Sequence, residues 1–452
     1  MTTRYAGVLV AGALGTVALG GCSGRVGTLS VTLTTAPGSR VLDGVQTLRL
    51  VLTDPHQVTT AQRANGGFTI ELDVPATGHP ASLIVDGLDA AGQLVATGSS
   101  PAFPVGGITA GIVIYMAPPD SIGAAPLGLA PARSELGIGM LSYGAIFAGG
   151  RVAAGAPSDA VAIYNAFDHS LVAGKPLPSP RAGIVVATSQ GGGVLLFGGH
   201  DAAGAAVDTL WTFATTVAPN GAYIDLGSKP GFARADELAI PLGSGRYLLS
   251  GAPAAELSGI DGSLIARTEV SALPRAGATL TGSDGLVTTM FAGEELDGFT
   301  RFRLNRFEPH IDPRAARTGH VVVALPGGKA LIVCGTIGSG AFPDALRVDV
   351  ATSAADAIAS LPGTPRSGCA VAATHRNLVV AGGSLANGDL ASTAELYDVT
   401  TLALLATVPL VVPRTGAAAI ALPNDQVLIA GGVDATGAPI ETLELFTPAP
   451  LE

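Results

Sequence analysis

Arg366-Ser-Gly368, Val379-Val-Ala-Gly-Gly383 and Glu395-Leu-Tyr397 follow one another in a single stretch, and the chain writes variants of that stretch seven times. The first element recurs as Arg133-Ser-Glu, Arg181-Ala-Gly, Arg234-Ala-Asp, Arg275-Ala-Gly, Arg317-Thr-Gly and Arg414-Thr-Gly, at spacings of 48, 53, 41, 42, 49 and 48 residues. The second is an apolar run closed by a glycine pair, as in Ile146-Phe-Ala-Gly-Gly150, Leu195-Leu-Phe-Gly-Gly199 and Leu428-Ile-Ala-Gly-Gly432; three middle copies keep one glycine, at Gly251, Gly293 and Gly335. The third alternates toward an aromatic, as in Val161-Ala-Ile-Tyr164, Leu210-Trp-Thr-Phe213 and Leu443-Glu-Leu-Phe446, and a fourth segment such as Ala355-Asp-Ala-Ile-Ala-Ser-Leu361 leads back to the next arginine. Runs of this length with period-2 alternation are strands. A period in the forties with four strands per unit is the spacing of propeller blades, so an all-β chain is predicted.

These motifs resemble the kelch-repeat family, which includes the propeller of galactose oxidase-like proteins, over residues 122–450. The resemblance implies a kelch-type β-propeller of seven blades over residues 122–452; the poor match from Arg234 to Gly251 leaves a six-bladed count open. The chain departs from the family in lacking a tryptophan in the fourth strand, where Leu171, Ile358 and Leu404 are expected to fill the layer, while Trp211 falls in a third strand. The last unit supplies three strands only. Residues 122–132 read like the fourth-strand segments elsewhere and are expected to close the ring, which removes an exposed sheet edge.

Composition agrees with blades buried on both faces. Of 452 residues 48% are apolar and 13% charged, with 62 glycines and 5% aromatics. No apolar run beyond the N-terminus reaches the 18 residues or more of a membrane helix. The net charge of −11, without a basic run, argues against nucleic acid. Upstream of the repeats, residues 28–119 alternate in short strands (Thr28–Leu33, Val45–Leu52, Phe68–Val74, Ser82–Val85, Gln93–Ala96 and Ile108–Tyr115), the pattern of a small antiparallel, Ig-like β-sandwich.

The first residues carry Arg4, an apolar stretch to Leu19 and then Gly20-Gly21-Cys22, a secretory signal. Its end resembles the lipobox of bacterial lipoproteins. That resemblance implies removal of residues 1–21, lipidation of Cys22, a tether over 22–27 and a cell-envelope location, with Ser23 favouring the outer membrane of a Gram-negative bacterium. Multiple acyl chains would anchor firmly where one would not.

Candidate site residues are few. Cys334 and Cys369, on neighbouring blades, are the two cysteines left after lipidation, and either a disulfide or two buried thiols fits. Blade four gathers nine titratable groups between Glu294 and Asp312, and Glu294, Arg301 and Arg303, with His320 of the next blade, are taken as ligand-binding candidates beside the alternative of a solvated strand carrying ion pairs. The repeated arginines are expected to bond carbonyls between blades. No residues map onto the two tyrosines, two histidines and tyrosine-linked cysteine of a copper radical oxidase, and no catalytic residue, metal site or cofactor is assigned. The expected function is membrane-anchored binding of a protein or glycan; the alternative is a carbohydrate-active enzyme, a sugar isomerase or oxidase, acting at the propeller mouth.

Overall fold

A computed structural model describes residues 26–450 apart from 65–67, 69–70, 76–77, 106–111, 189–192 and 360. Residues 1–21, Cys22 and most of the tether therefore lie outside the described residues. Among the described residues no helix is long and apolar enough to cross a membrane.

The chain is all-β. The repeats form seven four-stranded antiparallel sheets. Sheet 1 runs Gly137–Leu141, Gly144–Ala148, Val161–Asn165 and Ser170–Ala173. Sheets 2 to 6 begin with Val185–Thr188, Ala239–Gly243, Ala276–Thr281, Arg317–Leu325 and Ala370–Ala373. Sheet 7 contains Thr415–Ala421, Val427–Val433 and Glu444–Thr447, and its outer strand is Ser121–Ala124, paired antiparallel with Glu444–Thr447. Apolar side chains are shared between each sheet and the next: Ile146 and Leu196 join sheets 1 and 2, Leu195 and Leu257 join 2 and 3, Leu248 and Phe291 join 3 and 4, and Met290 and Ile332 join 4 and 5. Val333 and Val380 join 5 and 6, Val379 and Ile429 join 6 and 7, and Leu428 and Phe147 bring sheet 7 back onto sheet 1. The packing is cyclic, and together with the four-stranded sheets it is a β-propeller.

The glycine pairs make the joints between sheets. The N–H of Gly150 donates to the carbonyl of Arg181 at 2.8 Å, Gly199 to Arg234 at 2.8 Å and Gly383 to Arg414 at 2.8 Å. A Cβ at the preceding Gly149, whose φ is +61°, would stand 2.3 Å from that same Arg181 oxygen, so only glycine lets the backbones approach. Cutting out residues 121–129 removes the strand that covers Glu444–Thr447. The expected result is a lower melting temperature together with concentration-dependent association through the bared edge, read by calorimetry and sedimentation velocity; an unchanged melt and a monodisperse monomer would contradict it.

The N-terminal module packs a three-stranded sheet (Glu71–Pro75, Val26–Thr34, Ile112–Tyr115) on a four-stranded one (Gln57–Gln62, Thr47–Leu52, Leu83–Leu88, Leu94–Ser99) around Leu48, Leu50, Val85 and Ile114. Two features differ from the sequence reading. Val26–Thr34 pairs with Ile112–Tyr115 in parallel, so the sandwich is not wholly antiparallel. Gln57–Gln62, too polar to score as a strand, is an edge strand with one face in solvent.

The module sits on one end of the ring. The Val113 N–H donates to the carbonyl of Phe167 at 3.1 Å, in the turn between strands three and four of sheet 1. Ser99 and Asn424 bond reciprocally, Oγ to main-chain O at 2.8 Å and Nδ2 to main-chain O at 3.0 Å, in the turn between strands one and two of sheet 7. In a four-stranded meander those turns share one end of the sheet, and the connection between strands two and three lies at the other. Among the described residues the sandwich therefore meets the propeller at one end, over sheets 1 and 7, and these contacts lie away from the mouth at the other end.

Candidate functional site

The mouth is built from the repeated Arg-X-Gly element. Six of the seven arginines are buried; Arg275 is exposed. The buried guanidiniums bond within their own sheet, not between sheets as the sequence reading expected. Arg317 donates from Nη1 to Cys334 O at 3.1 Å, at the end of strand two, and from Nη2 to Asp344 O at 2.7 Å, just before strand three. Arg234 does the same with Ser250 O at 2.6 Å and Pro253 O at 3.0 Å. The physical reason is position: the arginine stands at or just before the start of strand one and lies across the gap where strands two and three part, where carbonyls have no partner across that gap. A planar fork of five donors suits such a gap.

The residue two places on adopts a left-handed backbone in six sheets, at Glu135, Gly183, Asp236, Gly319, Gly368 and Gly416, with φ between 48° and 66°. These residues join around the axis: Gly183 N–H to Glu135 O at 2.8 Å, Asp236 N–H to Gly183 O at 2.7 Å, Gly368 N–H to Gly319 O at 2.7 Å and Gly416 N–H to Gly368 O at 3.0 Å. A Cβ on Gly183 would meet Asp236 Oδ1 at 2.1 Å. Asp and Glu in place of glycine at two such positions accept an uncommon backbone, and each puts a carboxylate at the mouth.

Those carboxylates are paired with the residue that follows a glycine pair. Arg151 Nε donates to Glu135 at 2.9 Å and its Nη1 to Gly155 O at 2.7 Å. His200 Nε2 lies 3.0 Å from Asp236 Oδ2, and its Nδ1 lies 3.1 Å from Gly204 O. Beside them Glu237 accepts from the Ser250 hydroxyl and faces Arg275 Nε at 3.6 Å. Burial holds the Glu237 carboxyl above its usual range, opposed by Ser250, Arg275 and Arg234. The mouth is therefore asymmetric. Sheets 1 to 4 carry the paired charges, whereas sheets 5 to 7 present Gly319, Gly368, Gly416 and the Ser384–Thr415 hydroxyl pair, 3.2 Å apart. Both His200 nitrogens face acceptors that hold the ring in place, so the arrangement offers a preorganised rim of donors and acceptors.

The sequence-derived candidates do not come together as one site. Glu294 is exposed in the short 3-10 turn Glu294–Leu296, at the mouth end of sheet 4. Arg301 and Arg303 lie toward the other end of Gly298–Arg303. Arg301 reaches Val350 O at 2.8 Å and Glu308 at 2.5 Å; Arg303 reaches Ala351 O at 3.3 Å and Asp284 at 2.6 Å. They tie sheet 4 to sheet 5, the role expected of the repeated arginines. His320 is another tie, with Nε2 2.8 Å from Ala292 O and its pKa pushed down to about 4 by burial. Cys334 and Cys369 are joined in a disulfide between sheets 5 and 6, with Cα atoms 6.4 Å apart. Among the described residues no three His, Cys, Asp or Glu side chains gather as a metal cage. Of the proposed fourth-strand fillers, Leu171 and Ile358 pack against cores, but Leu404 is 54% exposed and Ala406 and Val408 serve instead.

Sequence reasoning missed Glu135, Arg151, His200, Asp236 and Glu237. The signal for four of them was in the repeats: an acidic residue in the glycine slot of Arg-X-Gly, at Glu135 and Asp236, and an arginine or histidine directly after a glycine pair, at Arg151 and His200; Glu237 follows the slot and had no such signal.

These sheets and this mouth define the chain as a β-propeller carried on an N-terminal β-sandwich. No protein-family profile and no curated protein matches it. Among solved structures it is similar to one described as "Structure of YjhT", at 14% identity and a TM-score of 0.43, covering 60% of this chain and 96% of that one.

Proposed function

We propose that this chain is a lipid-anchored lipoprotein of the cell envelope whose seven-bladed, kelch-type propeller binds a hydrophilic ligand, a glycan or a polar protein surface, at the mouth facing away from the sandwich. One observation supports the reading: the sandwich, which would follow the acylated end, meets the propeller at one end over sheets 1 and 7, whereas Glu135–Arg151, Asp236–His200 and Glu237–Arg275 lie at the other. Paired carboxylates, guanidiniums and an imidazole supply donors and acceptors at fixed positions, which favours hydroxyl-rich ligands and spares the ordering cost of binding.

The experiment is a glycan array and an envelope-protein pull-down with the chain lacking residues 1–22, repeated with Asp236→Asn and Glu135→Gln. Each variant is expected to lose tenfold or more in affinity with its melting temperature retained. Binding that survives both changes would overturn the site, and sugar turnover by the wild type would overturn the non-enzymatic reading in favour of a carbohydrate-active enzyme. Cys22→Ser in the full chain is expected to move the protein from the membrane to the soluble fraction; continued membrane association would refute the anchor.

A further inference from the structure

A cleft of about 230 Å³ lies between the sandwich and the propeller, at the end of the ring away from the mouth. Ser82 and Ile84 of the sandwich line it. The propeller supplies Arg376, from the turn between strands one and two of sheet 6, Pro423, from the corresponding turn of sheet 7, and Pro448 and Pro450 after the last strand. Clefts between domains are preferred places for small-molecule sites, and this volume falls below the roughly 300–1,000 Å³ of drug-sized pockets.

The cleft holds a cation that no anion of the protein meets. Arg376 Nη1 donates to the carbonyls of Ala449 at 3.2 Å and Pro450 at 3.1 Å; among the described residues its Nε and Nη2 make no hydrogen bond, and the guanidinium forms no ion pair. Asp398, a carboxylate that its field reaches, is held below its usual range mainly by the N–H and hydroxyl of Thr401, with Arg376 a minor contributor. The cleft's own carboxylate is engaged elsewhere: Asp425 accepts the N–H of His375 at 3.0 Å, and the His375 Nδ1 lies 2.9 Å from the same oxygen. The two opposite charges of the cleft therefore do not pair with each other.

The two carbonyls fix one arm of the guanidinium and leave the Nε–Nη2 edge. That edge takes a carboxylate through two parallel hydrogen bonds, roughly twice as strong as bonds between neutral groups. A further donor lines the cleft, because the Thr53 hydroxyl accepts from Ser82 N at 2.8 Å and keeps its O–H proton for another partner. Ile84 and the three prolines make the remaining wall apolar. One charged head and a compact apolar body match such a cleft better than a polyanion or a sugar.

We propose that this cleft binds a small organic monocarboxylate, whose carboxylate takes the Nε–Nη2 edge of Arg376 and whose apolar body lies against Ile84, Pro423 and Pro450. The site shares no residue with the mouth and lies at the other end of the ring, so it stands or falls separately from the binding proposed there.

The test titrates the chain lacking residues 1–22 by isothermal calorimetry at constant ionic strength with benzoate and hexanoate, with their amides, and with inorganic phosphate. Saturable binding of at least one carboxylate is expected. It should weaken tenfold or more in the matching amide and in Arg376→Gln, and should not change in Asp236→Asn. Because Arg376→Gln also gives up the bonds to Ala449 and Pro450, a second variant is needed. Ser82→Phe fills the cleft from a half-buried position and is expected to abolish binding with an unchanged melting temperature. No saturable binding of either carboxylate, an amide or phosphate that binds as tightly, or binding that persists in Ser82→Phe would overturn the proposal. Loss of binding in Asp236→Asn with retention in Arg376→Gln would place the carboxylate at the mouth and overturn it as well.

Discussion

Arg414→Leu is expected to destabilise the propeller by about 3–5 kcal/mol, the cost of leaving one partner of a buried ion pair uncompensated. Both side chains of the Arg414–Glu444 pair are fully buried, with Nη2 2.5 Å from Oε1. The surroundings complete the valences of each group: Arg414 donates to Val412 O at 3.2 Å and Gly431 O at 3.1 Å, and Glu444 accepts the N–H groups of Val411 at 2.9 Å and Val412 at 3.1 Å. Burial pushes the Arg414 pKa down, and Glu444 opposes that shift. Deleting the arginine strands a carboxylate and two carbonyls in the core of the sheet that closes the ring. The double variant Arg414→Leu, Glu444→Leu removes the stranded charge but not the orphaned backbone groups, so partial recovery is expected. Arg275→Leu is the control at the equivalent repeat position; its guanidinium is 60% exposed and 3.6 Å from Glu237, where pairs contribute little. Urea unfolding of the four proteins reads the series, and equal midpoints for Arg414→Leu and Arg275→Leu would sink the account.

The fold was legible because its determinants are local and repeated. Each glycine pair, each arginine and each apolar run reports one joint, and seven weak copies in register amount to a strong pattern. The chemistry of those joints was harder to read. A sequence places Arg317 before a strand but does not say whether its fork turns toward the next sheet or across its own; the free carbonyls between strands two and three decide that. Charge density drew attention to sheet 4, yet Arg301 with Glu308 and Arg303 with Asp284 are cross-strand and turn pairs that neutralise one another. The mouth groups are scattered over some hundred and forty residues, one or two per repeat, and only ring closure brings them into one rim. Asn424 looks like a turn residue beside Pro423 until the sandwich is seen to bury it.

Acidification should weaken the protein before its carboxylates titrate. His169 is buried at the joint between sandwich and sheet 1, its ring 5.6 Å from that of Tyr115 and its Nδ1 2.6 Å from Tyr164 Oη, while Tyr115 Oη donates to Ala124 O on the closing strand. Burial lowers its pKa to about 4, against a smaller opposing pull from Asp168, and His320 is lowered to about 4 in the same way, with Arg317 adding to the shift. Unfolded histidine titrates near 6.5. Between about pH 6.5 and 4 the unfolded chain thus binds more protons than the folded one, so stability falls as pH falls through that window and levels off below it. Each histidine is expected to cost about 2 kcal/mol between pH 7 and pH 5. Glu237, held above its usual range, works in the opposite direction and softens the slope at its lower end. His169→Asn isolates the contribution, because asparagine tolerates the left-handed backbone that His169 adopts at φ 52°. Urea midpoints at pH 7 and pH 5 should differ by about half as much in this variant as in the wild type. A slope that His169→Asn leaves unchanged would show that the joint does not resist protonation, and the cause of acid sensitivity would then lie outside the Tyr115–His169–Tyr164 contact.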